Sequence, residues 1–146
     1  MVLQITATDA WKILQEKPNS ILIDVRTKEE IEFVGFVDLS KINAQGNNRV
    51  IQLPWKIYPQ MVNDEAFTDK LSALIAEMFP SSNPEEIELL FMCRSGNRSF
   101  EAAMFMSDFG YNCHNLVNGF EGPHNASGQR GTVSGWKVEN LPWRQN

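Results

Sequence analysis

The chain has 146 residues and a formal net charge of -5, long enough to bury about two-thirds of its unfolded surface in one domain without staples. An acidic surface repels phosphate backbones, which sets nucleic acid aside as a partner class. Two cysteines, Cys93 and Cys113, are too few for a disulfide framework or a tetrahedral metal site, and no apolar run approaches membrane-spanning length; the expectation is a reducing, cytoplasmic setting with no membrane, metal or organic cofactor.

In chain order, Gln4-Ile5-Thr6 reads as a short strand, and Thr8 or Asp9 as the cap of a helix that carries Trp11 and Leu14 and ends before Pro18-Asn19. Ile21-Leu22-Ile23 is a continuous apolar run, the signature of a parallel strand buried on both faces, and Asp24-Val25-Arg26 closes it. Thr27 and Glu30 then form a capping box at the start of a short helix through Phe33. Arg26 has two readings, a contact to an anionic substrate or a scaffold salt bridge with Glu30 or Asp24. The second is preferred, because acidic partners this close occupy the guanidinium.

A polar excursion from Asp38 to Asn48 follows, of the length common in lids, before Arg49 to Leu53 resumes as a strand stopped by Pro54. Trp55, Tyr58 and Pro59 cluster past its end, as a plug over the core or a wall of a substrate mouth. Asn63 or Asp64 caps the clearest helix, with Phe67, Leu71, Leu74, Ile75 and Met78 at helical spacing. Ile87, Leu89, Leu90, Phe91 and Met92 form the next strand. After a turn, Ala102, Ala103, Phe105, Met106 and Phe109 line one side of a helix that Gly110 terminates. Cys113 to Val117 is the last strand, with its thiol at the beginning, which makes Cys113 a poor resolving cysteine; His114 reads as a surface or cap histidine. A polar, glycine-rich stretch from 120 to 134 carries His124 and Arg130, and Trp136 and Trp143 are expected to bring the C-terminal segment back onto the domain.

The chemistry is concentrated in Cys93-Arg94-Ser95-Gly96-Asn97-Arg98-Ser99, between a buried strand and a helix start. A lone strand-end cysteine is ordinarily a small hydrophobe. Here two arginines, a glycine and a helix N-terminus surround it, which argues for a nucleophile. An ordinary cysteine is only a few per cent thiolate near pH 7. A helix dipole contributes about 0.3–1 kcal/mol toward holding the anion, so the turn N–H groups and the arginines must supply the rest. Four residues separate Cys93 from Arg98, which makes a small ring of donors suited to one sulfur.

This turn resembles the active-site loop of the rhodanese-like sulfurtransferase family, and Leu22-Ile23-Asp24-Val25-Arg26 with Glu30 is similar to the family's second recurrent motif. Gly35-Phe36-Val37 departs from the family's Gly-His-Ile, and the stretches at 38–48 and 120–134 stand outside the resemblance. It implies one α/β domain over 1–146, with a central five-stranded parallel sheet flanked by helices on both faces. It also implies that Cys93 carries sulfur from a small anionic donor such as thiosulfate to a thiol or cyanide acceptor, a protein thiol being admissible. The amides of Arg94, Ser95, Gly96, Asn97, Arg98 and Ser99 would cradle the sulfur, and Arg94 and Arg98 would orient the donor. Two rival readings are a non-enzymatic interaction module on the same fold and a cysteine phosphatase. Phosphatases use a longer loop, since a tetrahedral phosphate needs a wider cradle.

Overall fold

The computed structural model describes residues 1–57 and 60–146; Tyr58 and Pro59 of the aromatic cluster lie outside the described residues. Five parallel strands form the sheet: β1 (Val2–Ile5), β2 (Ser20–Asp24), β3 (Val50–Gln52), β4 (Glu88–Met92) and β5 (Asn112–Leu116), in the order β1-β5-β4-β2-β3. The helices are α1 (Ala7–Glu16), α2 (Lys28–Val34), α3 (Phe67–Met78) and α4 (Asn97–Ser107). No helix among the described residues is long and apolar enough to cross a membrane.

Side-chain alternation along the central strands divides the core in two. Ile21 and Ile23 of β2, with Leu89 and Phe91 of β4 and the following Cys93, pack under Phe67, Leu71 and Ile75 of α3 and Ala102, Ala103 and Met106 of α4. Leu22, Leu90 and Met92 point the other way, against Ala10 and Leu14 of α1 and against Phe120 and Trp136. Every residue of β2 is buried, as its unbroken apolar run requires when helices cover both faces.

Local starts differ from the sequence expectation in instructive ways. The cap of α1 is Thr6, not Thr8 or Asp9: its hydroxyl accepts from the Asp9 amide at 3.1 Å. Thr6 is thereby removed from β1, which begins earlier, at Val2. The capping box of α2 forms as the sequence requires, with the Thr27 and Glu30 side chains each accepting from the other's backbone amide. Ala66 occupies the cap position of α3, and Asp64 acts one step earlier by accepting from the Ala66 amide at 3.0 Å. Arg49 belongs to a 3-10 turn and not to the strand; its guanidinium donates to Ser20 and to the Leu14 carbonyl.

Phe105, Phe109 and His114 lie where helical or strand spacing alone did not put them. Phe105 and Phe109 are 54% and 52% exposed: α4 lies on the sheet through Ala102, Ala103 and Met106 and turns Phe105 outward, and Phe109 lies past the end of that helix. His114 is buried, not superficial: the register places it opposite Leu90, and its Nε2 lies 3.0 Å from Glu88. Trp55 is a core plug, edge-on to Phe67 and against Phe105.

The excursion from 38 to 48 folds upon itself. Leu39 is buried, the Asn47 side chain accepts from the Leu39 amide at 2.7 Å and donates to Asp38 at 2.9 Å, and a Cβ at Gly46 would fall 2.0 Å from the Leu39 carbonyl oxygen. The C-terminal segment returns to the domain as expected. Trp136 is buried with its indole N–H on the Pro142 carbonyl, and Trp143-Arg144 pairs antiparallel with Phe36-Val37.

Candidate active site

Cys93 follows the last residue of β4, at the C-terminal edge of the sheet, where open α/β folds place their ligands. It is 1% exposed and faces the α3/α4 side. Two polar groups reach its sulfur: the Gly96 amide donates at 3.1 Å, and the Ser99 hydroxyl lies 3.2 Å away. Gly96 can present its amide because its φ of 108° lies in the left-handed region that glycine enters freely. The turn is clamped from outside. The Phe120 amide donates to the Cys93 carbonyl, and the amides of Glu121 and Gly122 donate to the Arg94 carbonyl. The stretch after β5 therefore braces the backbone of the turn, while its His124 is exposed and its Arg130 is held on the Gly122 carbonyl.

The two loop arginines have different surroundings. Arg94 is exposed beside the turn. Arg98 grips Glu30 of α2 in a bidentate pair, its terminal nitrogens donating at 2.6 and 2.8 Å to the two carboxylate oxygens. Ser95 is half-buried and Asn97 is exposed. Arg26 is fully buried and pairs with Asp24, its Nε at 2.9 Å and one terminal nitrogen at 2.6 Å from the carboxylate, with a further bond to the Gly35 carbonyl. Its guanidinium stacks 4.3 Å over the ring of Phe120. Arg26 is thus scaffold, with Asp24 as its acidic partner, and Glu30 belongs to Arg98.

Burial works to raise the pKa of Glu30 but is outweighed by the Arg98 hydrogen bond, the Thr27 amide, the Arg98 charge and the Thr27 hydroxyl, which together bring it down from 4.5 to about 2. A depressed carboxylate contributes stability that is present above its unfolded pKa and lost as pH falls through the folded one. Stability is therefore expected to decline between about pH 5 and pH 2, and Glu30→Gln to flatten that part of the profile, as read from denaturant midpoints in matched buffers. An unchanged slope in Glu30→Gln would assign the acid sensitivity elsewhere.

Cys113 stands at the other end of the sheet. The register pairs it with Leu89, near the start of β4, whereas Cys93 follows its end. Burial pushes the Cys113 thiol up to about 12. A thiol so poorly ionised is inert at neutral pH, in keeping with its poor placement as a resolving cysteine.

Asn115 and Gln4 escaped the sequence reading. Asn115 is buried in β5, accepts from the Ser99 hydroxyl at 2.5 Å and donates to Gln4 at 2.8 Å and to the Gly96 carbonyl at 3.1 Å. The available signal was a polar side chain two positions after Cys113, and so on the same face of a strand otherwise read as core.

Comparison with known proteins bears on the fold and the family. The family model of the rhodanese-like domain matches residues 6–126. An uncharacterized protein of Rickettsia conorii is 36% identical over 146 residues, covering 98% of each chain. The crystal structure of Rv0390 from M. tuberculosis superposes with a TM-score of 0.76 at 33% identity, over 98% of this chain and 97% of that one. The polysulfide-sulfur transferase homodimer of Wolinella succinogenes shares the fold, with a TM-score of 0.57 at 21% identity over 99% of this chain and 80% of that one. With the sheet order and these matches in agreement, the chain belongs to the rhodanese-like domain family.

Proposed function

We propose that the protein is a sulfurtransferase that moves a sulfane sulfur through a persulfide on Cys93. The observation that carries this reading is the sulfur at a strand end with an amide and a hydroxyl aimed at it from the first turn of α4. In the first half-reaction the Cys93 thiolate attacks the outer sulfur of thiosulfate; an S–S bond forms to Cys93, the S–S bond of the donor breaks, and sulfite leaves with the electron pair. In the second, a thiol or cyanide attacks the outer sulfur of the persulfide and the Cys93 thiolate is restored. The turn amides and the helix N-terminus oppose the negative charge that the persulfide carries. Arg94, exposed beside the turn, meets the anionic donor, whereas Arg98 is committed to Glu30 and holds the turn against α2.

Incubation with thiosulfate followed by intact-mass measurement is expected to show one added sulfur per chain, removed by cyanide, and none in Cys93→Ser. Loading that persists in Cys93→Ser would take Cys93 out of the reaction. A second reading, a non-enzymatic interaction module, draws on the 1% exposure of Cys93. It predicts no loading by thiosulfate, polysulfide or a small persulfide in the folded wild-type protein.

A further inference from the structure

Proton counting around Cys93 leads beyond the turn. The Ser99 hydroxyl has one proton and three acceptors within reach: Asn115 Oδ1 at 2.5 Å, Cys93 Sγ at 3.2 Å and the Gly96 carbonyl at 3.2 Å. The orientation of the Asn115 amide is fixed, because a carbonyl only accepts: the atom 3.1 Å from the Gly96 oxygen must be Nδ2, which also donates to Gln4 at 2.8 Å. Oδ1 therefore faces Ser99, and the shortest of the three contacts takes the proton. The Ser99 oxygen then presents a lone pair to the sulfur. That arrangement suits a thiol, whose S–H donates to Ser99 while the Gly96 amide donates to sulfur. A thiolate needs the Ser99 proton turned toward it, and turning it leaves Asn115 Oδ1 buried without a donor.

We infer that Asn115 is a positioning residue for the sulfur chemistry: by competing for the Ser99 proton, it sets how readily that hydroxyl can turn to donate to an anionic Cys93 sulfur. The inference deepens the sulfurtransferase reading and rests on it for its catalytic meaning. Ionisation releases the S–H proton to solvent, and no other bond changes. Among the described residues, the charged groups at this end of the sheet are Arg94 in the turn, Arg98 and Glu101 on α4, Glu30 on α2, and the Asp24–Arg26 pair at the end of β2. His114, next to Asn115, points to the opposite face of β5 and is engaged by Glu88. Neutral substitution of Asn115 alters none of these charges.

The test is the pH profile of Cys93 alkylation by iodoacetamide, read by mass on the intact folded chain. Asn115→Leu and Asn115→Ala remove the competing acceptor and are expected to move the profile about one pH unit lower, an increase of about tenfold on its rising limb. Asn115→Asp keeps an acceptor and is expected to leave the profile at or above the wild-type position. Ser99→Ala is expected to make the profile insensitive to Asn115→Leu, since the effect passes through that hydroxyl. Thermal melting shows which variants are folded, and the alanine variant decides if the leucine one is not. Unmoved profiles in folded variants, equal shifts in all three, or a shift that survives in Ser99→Ala would overturn the inference. Alkylation needs no sulfur donor, so absence of sulfur loading would sink the enzymatic reading alone, while loading with an unmoved profile would sink only the role of Asn115.

Discussion

Replacing Asp24 with alanine is expected to destabilise the fold by about 3–5 kcal/mol, because it strands the Arg26 guanidinium, which is 0% exposed, without its counter-ion. What remains to Arg26 is one bond to the Gly35 carbonyl and the face of Phe120, and one of its terminal nitrogens already has no partner among the described residues. Urea denaturation measures the loss as a lower midpoint at unchanged slope. Removing both charges together, as Asp24→Leu with Arg26→Met, is expected to recover most of it, since a buried ion pair and a well-packed apolar pair of similar volume are often close in free energy. A single Asp24→Ala variant within 1 kcal/mol of wild type, on the order of an ordinary surface change, would show that water reaches Arg26 in solution.

Gly96→Ala is expected to reach both stability and reactivity. A Cβ at this position would lie 2.2 Å from the Val117 carbonyl oxygen and 2.9 Å from its carbon, both backbone atoms that cannot rotate away, and the φ of 108° is strained for any L side chain. Overpacking and backbone strain each cost about 1–3 kcal/mol, so a combined loss of about 2–5 kcal/mol is expected in denaturant unfolding. The turn must shift to relieve the overlap, and the amide that donates to the Cys93 sulfur shifts with it. Sulfur loading by thiosulfate is therefore expected to fall at least about tenfold even at temperatures where the variant is fully folded, consistent with loss of one hydrogen bond to an anion. Wild-type loading in a folded Gly96→Ala protein would show that this amide does not hold the sulfur.

The pairing of Arg98 with Glu30 changes how the loop's charge is read. Counted along the sequence, the turn holds two free cations. In the fold one of them is neutralised by a carboxylate whose own ordering begins in the capping box of α2. Of the two, only exposed Arg94 has no carboxylate partner among the described residues, and the Arg98–Glu30 contact ties the start of α4 to α2.

What the sequence by itself determined is what short-range physics controls. The unbroken run Ile21-Leu22-Ile23 demanded a strand covered on both faces, Thr27 and Glu30 demanded a helix start, and Cys93 through Ser99 demanded a tight turn between strand and helix, each from residues within one or two turns of chain. What only the tertiary structure decided is which distant groups meet. The order β1-β5-β4-β2-β3 sets Gln4 beside Asn115 and Asn115 beneath Ser99, brings Glu30 to Arg98 across 68 positions, buries His114 against Glu88, and leaves Phe105 and Phe109 outside. Hydrophobic period and capping chemistry fix an element because they act along the chain; a buried polar group takes whatever partner the strand order delivers, and that order is settled by closure of the whole core.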